Sequence, residues 1–294
     1  MRSKLFVPAS RPELFHKAMA SPADAICFDL EDAVRFQHKD KARQQLHDLF
    51  QNPEYQQLKK EHNKIIIVRI NAFDTPHAQE DIQAICREGV DIINIPKINS
   101  AEDVLASIDL IANTRQENGC QAAIKILANI ETPIALKNAS AIGAAHPDIW
   151  GLQLGLGDMF EPLNITRYSQ PNVHAIMFSL RMAAACSRVM AYDGAYANVE
   201  DLDGFRAEAL MAKSLGYLGK SCIHPSQVPT ANEVFSPTAQ EIEWSAKVIQ
   251  AAQDRQAHGA FLLNGKMIDA PFVLRAQAIL DTAKRLGIAP RNAY

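Results

Sequence analysis

Ile65-Ile-Ile-Val-Arg-Ile-Asn71 is a continuous apolar run of strand length that ends on a guanidinium and an amide. Seven further runs of this kind lie around it, at residues 4–8, 25–30, 92–97, 124–131, 149–156, 188–193 and 219–224. Their chemically loaded residues collect at or just past their C-terminal ends: Ser10 and Arg11; Asp29, Glu31 and Asp32; Arg69 and Asn71; Lys97; Glu131; Asp158; Asp193; and His224. Between the runs the period changes. Segments 12–19, 39–50, 79–88, 101–113, 133–144, 173–185 and 202–215 place apolar residues three and four apart, which is the helical repeat. Strand and helix alternating in this way imply a parallel sheet with crossover helices. Eight repeats predict an α/β chain folded as a (β/α)8 TIM barrel, in which the C-terminal strand ends form the active-site mouth. Chance would scatter acids and bases over both strand ends, so the one-sided collection points to an enzyme.

The 294 residues, 48% hydrophobic with a formal net charge of -3, suit one barrel plus an extension. The expected division is a catalytic barrel over residues 1–225 and a C-terminal helical extension over 226–294, free to serve as a lid or an oligomer contact. Within the extension, a short helix opens at 226–228, a longer one runs from Ser236-Pro237 to about His258, and a last one runs from Pro271 to about Leu286. The sixth connection, residues 159–172, is rich in Pro, Asn and Thr and reads as an active-site loop. A pI near 6.3 without a long basic run excludes an electrostatic footprint for nucleic acid or an anionic membrane. No apolar run approaches the ~18 residues of a membrane span, and nothing resembles a targeting segment, so the expectation is a cytoplasmic, soluble protein. Five scattered cysteines without a CxxC pair argue against disulfides and zinc; Cys27 and Cys222 read as small buried hydrophobes.

Two acids, Glu131 and Asp158, close adjacent strands and so fall on one side of the mouth. As hard oxygen ligands they suit Mg2+, although acids at strand ends also cap helices or face water. Arg69 ends a strand too apolar to keep a guanidinium inside. It therefore projects from the mouth, where its planar fork binds a carboxylate or stabilises an enolate oxygen, or else pairs with Glu31 or Asp32. Asp29 is ambiguous between capping and catalysis. By position alone Asp269, just before the helix begun at Pro271, is an N-terminal cap.

Arg2-Ser-Lys-Leu-Phe-Val-Pro8, Asp29-Leu-Glu-Asp-Ala-Val34, the basic stretch 39–43, Val68-Arg-Ile-Asn71, Ile95-Pro-Lys97, Ile130-Glu-Thr132, the run from Gly219-Lys to His224-Pro225, and Met267-Ile-Asp269 occur in an order that resembles the HpcH/HpaI aldolase and citrate lyase beta-subunit family. The resemblance implies a Mg2+-dependent barrel that makes or breaks a carbon–carbon bond between an acetyl thioester and a keto acid, with Glu131 and Asp158 as the metal pair. It further implies that Glu31 and Asp32 orient metal-bound water and ligands, and that Asp269 handles the acetyl proton from a C-terminal arm covering a neighbour's mouth in a homo-oligomer, a trimer or hexamer. The candidates for docking coenzyme A phosphates are Arg2, Lys4, Ser10, Arg11, Lys39 and Arg43, since no phosphate-cradling glycine signature exists: Gly155-Leu-Gly157 lacks a third glycine and opens no convincing helix. Family beta subunits resemble Ala-Glu-Asp where this chain has Leu-Gly-Asp158, and tend to carry Asn at the position of His224. These departures imply a stand-alone lyase cleaving a short 3-hydroxy-dicarboxylyl-CoA of the citramalyl-CoA or malyl-CoA type to acetyl-CoA and a 2-keto acid. The alternatives are a citrate lyase beta subunit working on a carrier protein, an aldolase on a free keto acid, and a scaffold with a decayed site.

Overall fold

The computed structural model describes residues 1–254 and 259–288. Its first compact unit, Met1–Phe235, is a (β/α)8 barrel. Strands β1 (Ser3–Pro8), β2 (Ala25–Asp29), β3 (Ile65–Arg69), β4 (Ile92–Ile95), β5 (Lys125–Ile130), β6 (Ile149–Leu154), β7 (Met190–Tyr192) and β8 (Lys220–Cys222) pair in parallel in the order 7-6-5-4-3-2-1-8. A bridge between Asp193 and Lys220 closes the ring, with Ser221 donating to the Asp193 carbonyl at 3.1 Å. The helices are α1 (Phe15–Met19), α2 (Lys39–Gln51), α3 (Pro53–Glu61), α4 (Ala78–Ile85), α5 (Ala101–Glu117), α6 (Pro133–Ala144), α7 (Leu156–Phe160), α8 (Gln170–Ser187), α9 (Leu202–Ser214) and α10 (Gln227–Phe235).

Side chains alternate across each strand, and two separate apolar clusters result. Leu5, Ile26, Phe28, Val68, Ile93, Ala128 and Leu152 belong to the large core between sheet and helices. Ala25, Cys27, Ile67, Ile92, Leu127 and Tyr192, from five different strands, meet inside the barrel. Continuing the inward register places Asp29 above Cys27, Arg69 above Ile67, Asn94 above Ile92, and Asn129 with Glu131 above Leu127. The inner series is thus apolar at the base and polar toward the mouth.

Several expectations are corrected. Apart from β1, the strands stop one or two residues before the apolar runs do; Arg188, expected in the seventh, adopts a left-handed φ of 58° and ends α8. Helix α3 was not expected, although Asn52 accepts from the Glu54 amide and Pro53 occupies the first helical turn, which is a sequence-readable start. The sixth connection is no bare loop: Gly155 precedes α7, which puts Asp158 in that helix's first turn. Helix α10 belongs with the barrel, so the compact units divide between Phe235 and Ser236 rather than at Pro225.

The second unit comprises α11 (Ala239–Asp254), a hairpin of β9 (Phe261–Leu263) and β10 (Lys266–Ile268), and α12 (Ala270–Arg285). The expected end of the first of these helices at His258 lies outside the described residues. The hairpin was not expected, yet its turn is Asn264-Gly265, both with positive φ (49° and 77°), as a two-residue type I′ connection requires. Ile242, Leu280 and Ala283 pack α11 against α12, and Val248, Ile268 and Ala276 bring in the hairpin. Among the described residues no helix is long and apolar enough to cross a membrane. Four cysteines are buried and one, Cys186, is exposed; burial pushes the Cys27 thiol up to about 11 and the Cys222 thiol to about 12, as inert core residues.

Candidate active site

Arg69 is the centre of the mouth. Its Nε and Nη2 each donate to Asp29 at 2.7 Å, a bidentate pair, and Nη1 lies 2.9 Å from Glu31 and 3.3 Å from Asp32. The guanidinium also lies 5.0 Å from the centroid of the Phe6 ring. Burial disfavours the charge, but the Asp29 carboxylate, then Glu31 and Asp32, hold the guanidinium protonated well above the ordinary arginine value. The same pairing keeps Asp29 below the usual carboxylate range against its own burial. Asp29 also accepts from the Glu31 and Ala33 amides, so it anchors the loop after β2 as well as the fork of Arg69. Capping and site construction therefore coexist in one side chain. Glu31 and Asp32 do reach Arg69, as expected, but Asp29 is its principal partner.

Glu31 is pushed up to about 8, chiefly by burial and further by Asp32, Glu131 and Asp29, with Arg69 opposing. Its Oε2 is buried and, though close to Arg69, accepts no hydrogen bond of good geometry. Glu131 is held from both sides: Asn129 Nδ2 donates to Oε1 at 2.8 Å and the Lys97 amide donates to Oε2 at 3.0 Å. Lys97 takes a left-handed φ of 53°, a strained setting for a residue with a side chain. Burial raises the Glu131 pKa, and the nearby charge of Asp158 raises it further. Glycine at 155 is required beside it, because a Cβ there would stand 2.4 Å from Glu131 Cγ.

Of the six residues expected to dock coenzyme A phosphates, the structure leaves Ser10 and Arg11 at the mouth, the latter exposed and paired with Glu13. The other four are corrected. Arg2 precedes β1 at the opposite end of the barrel and is clamped on Asp24. Lys4 is entirely buried inside the barrel. Lys39 donates to the carbonyls of Leu30 and Glu31 and to Asn71, tying down the loop that carries Glu31. Arg43 is neutralised by Asp81 at 2.7 Å, with Asp40 and Glu80 beside it. In each case tertiary partners invisible in the local sequence occupy the side chain, carboxylates for Arg2 and Arg43 and neutral oxygens for Lys4 and Lys39.

Asp193 turns away from the mouth, into a buried network in which Lys220 bridges it (2.6 Å) to Glu208 (2.8 Å), itself held by Arg167. Asn71 is likewise internal, bonded to Asp81 and Leu30. Lys97 Nζ stays half-exposed, 3.9 Å from Glu31. His224 is exposed and closes a local turn with Ser226. In the second unit Asp269 does sit at the N-terminal cap position of α12, but its side chain makes no capping bond; Oδ1 is buried without a hydrogen-bond partner among the described residues, and the residue borders an open hollow of about 570 Å³ with Phe261 and Pro271. Sequence reading missed Asn94, Asn129 and Gln153, the polar interruptions in otherwise apolar strands.

Residues 2–225 match the HpcH/HpaI aldolase/citrate lyase family model. The chain belongs to this family. Its fold and the expected resemblance are thereby borne out, and its chemistry is that of a lyase. Over 289 residues it is 36% identical to the citrate lyase subunit beta of Haemophilus influenzae, spanning 96% of this chain and 97% of the relative. It is 34% identical over 290 residues to a (3S)-malyl-CoA thioesterase of Cereibacter sphaeroides, covering 97% and 95%. The Mycobacterium tuberculosis CitE structure, solved with magnesium, acetoacetate and coenzyme A, superposes with a TM-score of 0.75 at 28% identity, covering 97% of this chain and all of that one.

Arg69→Lys tests how the site uses that residue. An ammonium keeps the charge but cannot span both Asp29 oxygens while presenting a second edge to the mouth. Turnover should fall by ~10²-fold or more, the scale of losing one oriented donor to a developing oxyanion. Steady-state rates near those of the wild type would reduce Arg69 to a general electrostatic role.

Proposed function

We propose that this lyase reversibly cleaves a short 3-hydroxy-dicarboxylyl-CoA, of the citramalyl-CoA or malyl-CoA type, to acetyl-CoA and a 2-keto acid. The observation that carries this reading is the acid-lined mouth in which the guanidinium of Arg69 meets Asp29, Glu31 and Asp32 beside Glu131. The donor set fits Mg2+: Glu131 and Asp158 are hard oxygen donors, close enough that the charge of Asp158 raises the pKa of Glu131, and the buried Oε2 of Glu31, 2.9 Å from Arg69, accepts no well-aligned hydrogen bond. Glu131 and Asp158 would hold the ion, with Glu31 and Asp32 orienting its waters. When bound, it supplies Lewis acidity at the keto-acid oxygen.

The chain's own residues do the rest. The substrate hydroxyl gives up its proton to the Asp269 carboxylate, the carbon–carbon bond breaks to leave the 2-keto acid, and its electron pair passes to the acetyl thioester as an enolate. Arg69, locked through Nε and Nη2, offers its Nη1 edge to the developing charge, and exposed Asp32 can yield its place there. Asp269, supplied by the C-terminal arm of a neighbouring copy in a homo-oligomer, returns a proton to the acetyl carbon. Ser10 and Arg11 remain to meet the coenzyme A phosphates.

Similarity to citrate lyase beta subunits and to malyl-CoA thioesterases gives two rival readings, and one assay separates all three. Purified protein with Mg2+ is offered citramalyl-CoA, malyl-CoA and citryl-CoA, and products are resolved by chromatography. Acetyl-CoA plus pyruvate or glyoxylate is the expected outcome. Free coenzyme A with the intact hydroxy-diacid would replace the lyase reading with thioester hydrolysis, and activity confined to the citryl thioester would make the chain a citrate lyase beta subunit.

A further inference from the structure

Below the mouth, the barrel interior carries a polar layer with no obvious structural purpose. Lys4 is completely buried there. Its ammonium donates to Oδ1 of Asn94 at 3.4 Å and to Oε1 of Gln153, and lies 4.5 Å from the Phe6 ring centroid and 5.6 Å from that of Tyr192. Among the described residues no carboxylate pairs with it, and burial brings it down to about 8. A hydrophobic residue of the same length would fill the space without stranding a charge.

One branch of the hydrogen bonds leading away from Lys4 runs to Glu131. Asn94 Nδ2 donates to Asn129 Oδ1 at 2.6 Å and to the Leu127 carbonyl at 2.9 Å, and Asn129 Nδ2 donates to Glu131 Oε1 at 2.8 Å. An amide can be turned over to exchange its oxygen and nitrogen, so two adjacent asparagines do not fix each other. Here both ends of the chain are fixed. An ammonium only donates, which forces Asn94 to show it oxygen; an ionised carboxylate only accepts, which requires Asn129 to show it nitrogen. Between these ends a single arrangement satisfies every group.

We propose that Lys4 is a positioning residue for Glu131: together with the Leu127 carbonyl it holds Asn94, and through Asn94 and Asn129 it steadies the carboxylate in the pose that receives the metal ion. The Lys97 amide holds the other oxygen, leaving each with one lone pair for a further ligand. This rests on Glu131 being a Mg2+ ligand, as proposed above. Lys4 is therefore coupled to metal affinity, although it lies beneath the mouth and touches neither metal nor substrate.

The test is calorimetric titration of Mg2+ into the metal-stripped, substrate-free full-length protein. Lys4→Met should bind Mg2+ about tenfold more weakly, the lower end of what outer-sphere partners are worth. Its far-UV circular dichroism and KM for the acyl-CoA ester should be unchanged, while the Mg2+ concentration for half-maximal rate rises. Asn129→Leu should weaken binding similarly, and the double variant should be no weaker than Asn129→Leu alone, because both act through one chain. A folded Lys4→Met with wild-type Mg2+ affinity, or full additivity in the double variant, overturns the proposal. If Lys4→Met does not fold, Lys4→Gln takes its place, retaining a donor that can also turn over, and should show a smaller loss. Failure of both to fold makes Lys4 a structural residue and equally overturns it. Wild-type protein that binds no Mg2+, or Glu131→Gln that still binds it, sinks the metal assignment itself, a result distinct from loss of the relay alone.

Discussion

Glu131→Gln and Asp158→Asn each abolish turnover, by at least ~10³-fold, while the barrel stays folded. The magnitude follows from removing one of two anionic ligands: Lewis-acid stabilisation supplies several kcal/mol, and each ~1.4 kcal/mol is a factor of ten in rate. Glutamine at 131 is the more demanding case, because the Asn129 amide and the Lys97 N–H both donate to the native carboxylate. A glutamine oxygen satisfies one of them and its NH2 confronts the other, a conflict of about 1–3 kcal/mol. Offsetting this, the variant no longer holds a carboxylate whose ionisation is opposed by burial and by Asp158. The melting temperature without metal should therefore move by only a few degrees, while Mg2+ binding disappears. Wild-type activity persisting in excess EDTA would sink the metal reading, and a Glu131→Gln enzyme with substantial turnover would move the ligand elsewhere.

The barrel is legible in the sequence because a parallel strand with both faces covered must be apolar throughout, as in Ile65-Ile-Ile-Val, and helical periods separate such runs. That same uniformity hides which side chains point inward. Alternation along β2 becomes readable only where polarity breaks it, at Asp29, just as Asn94 and Asn129 break β4 and β5. Those amides are unremarkable in a single strand; their meaning comes from neighbours three strands apart in the ring, since Lys4 is on β1 and Gln153 on β6. The acids of the mouth were readable from strand ends, but the cations were not. Arg2 and Arg43 carry charge as visible in the sequence as that of Arg69, yet Asp24 and Asp81 neutralise the first two locally, whereas Arg69 meets an excess of acids that a substrate or metal can share. Helix α3 and the β9–β10 hairpin were missed for the opposite reason: Asn52-Pro53 and Asn264-Gly265 are local signals strong enough to stand without tertiary information.

Mixing two inactive variants should regenerate activity if Asp269 serves a neighbour's site. Asp269→Asn leaves a barrel with intact Glu131 but no acid on the arm; Glu131→Gln leaves an intact arm on a dead barrel. In a shared-site oligomer, subunit exchange brings the arm of the second chain to the barrel of the first, and such sites hold both groups. For random pairing of equal amounts, about one site in four is complete, so roughly a quarter of wild-type activity should return, by the same population arithmetic that governs any two-component equilibrium. The side chain is suited to the role: Asp269 occupies the cap position of α12 without capping it, and its buried Oδ1 has no partner among the described residues, so nothing local explains a carboxylate there. If the residue were a structural cap, an Asp269→Asn change would be nearly neutral, because asparagine caps as well as aspartate; if it acted within its own chain, every mixed species would lack one member of its site. Hybrid oligomers demonstrated by mass spectrometry but without recovered turnover would return Asp269 to its own barrel, and full activity in the Asp269→Asn variant alone would remove it from the proton transfer altogether.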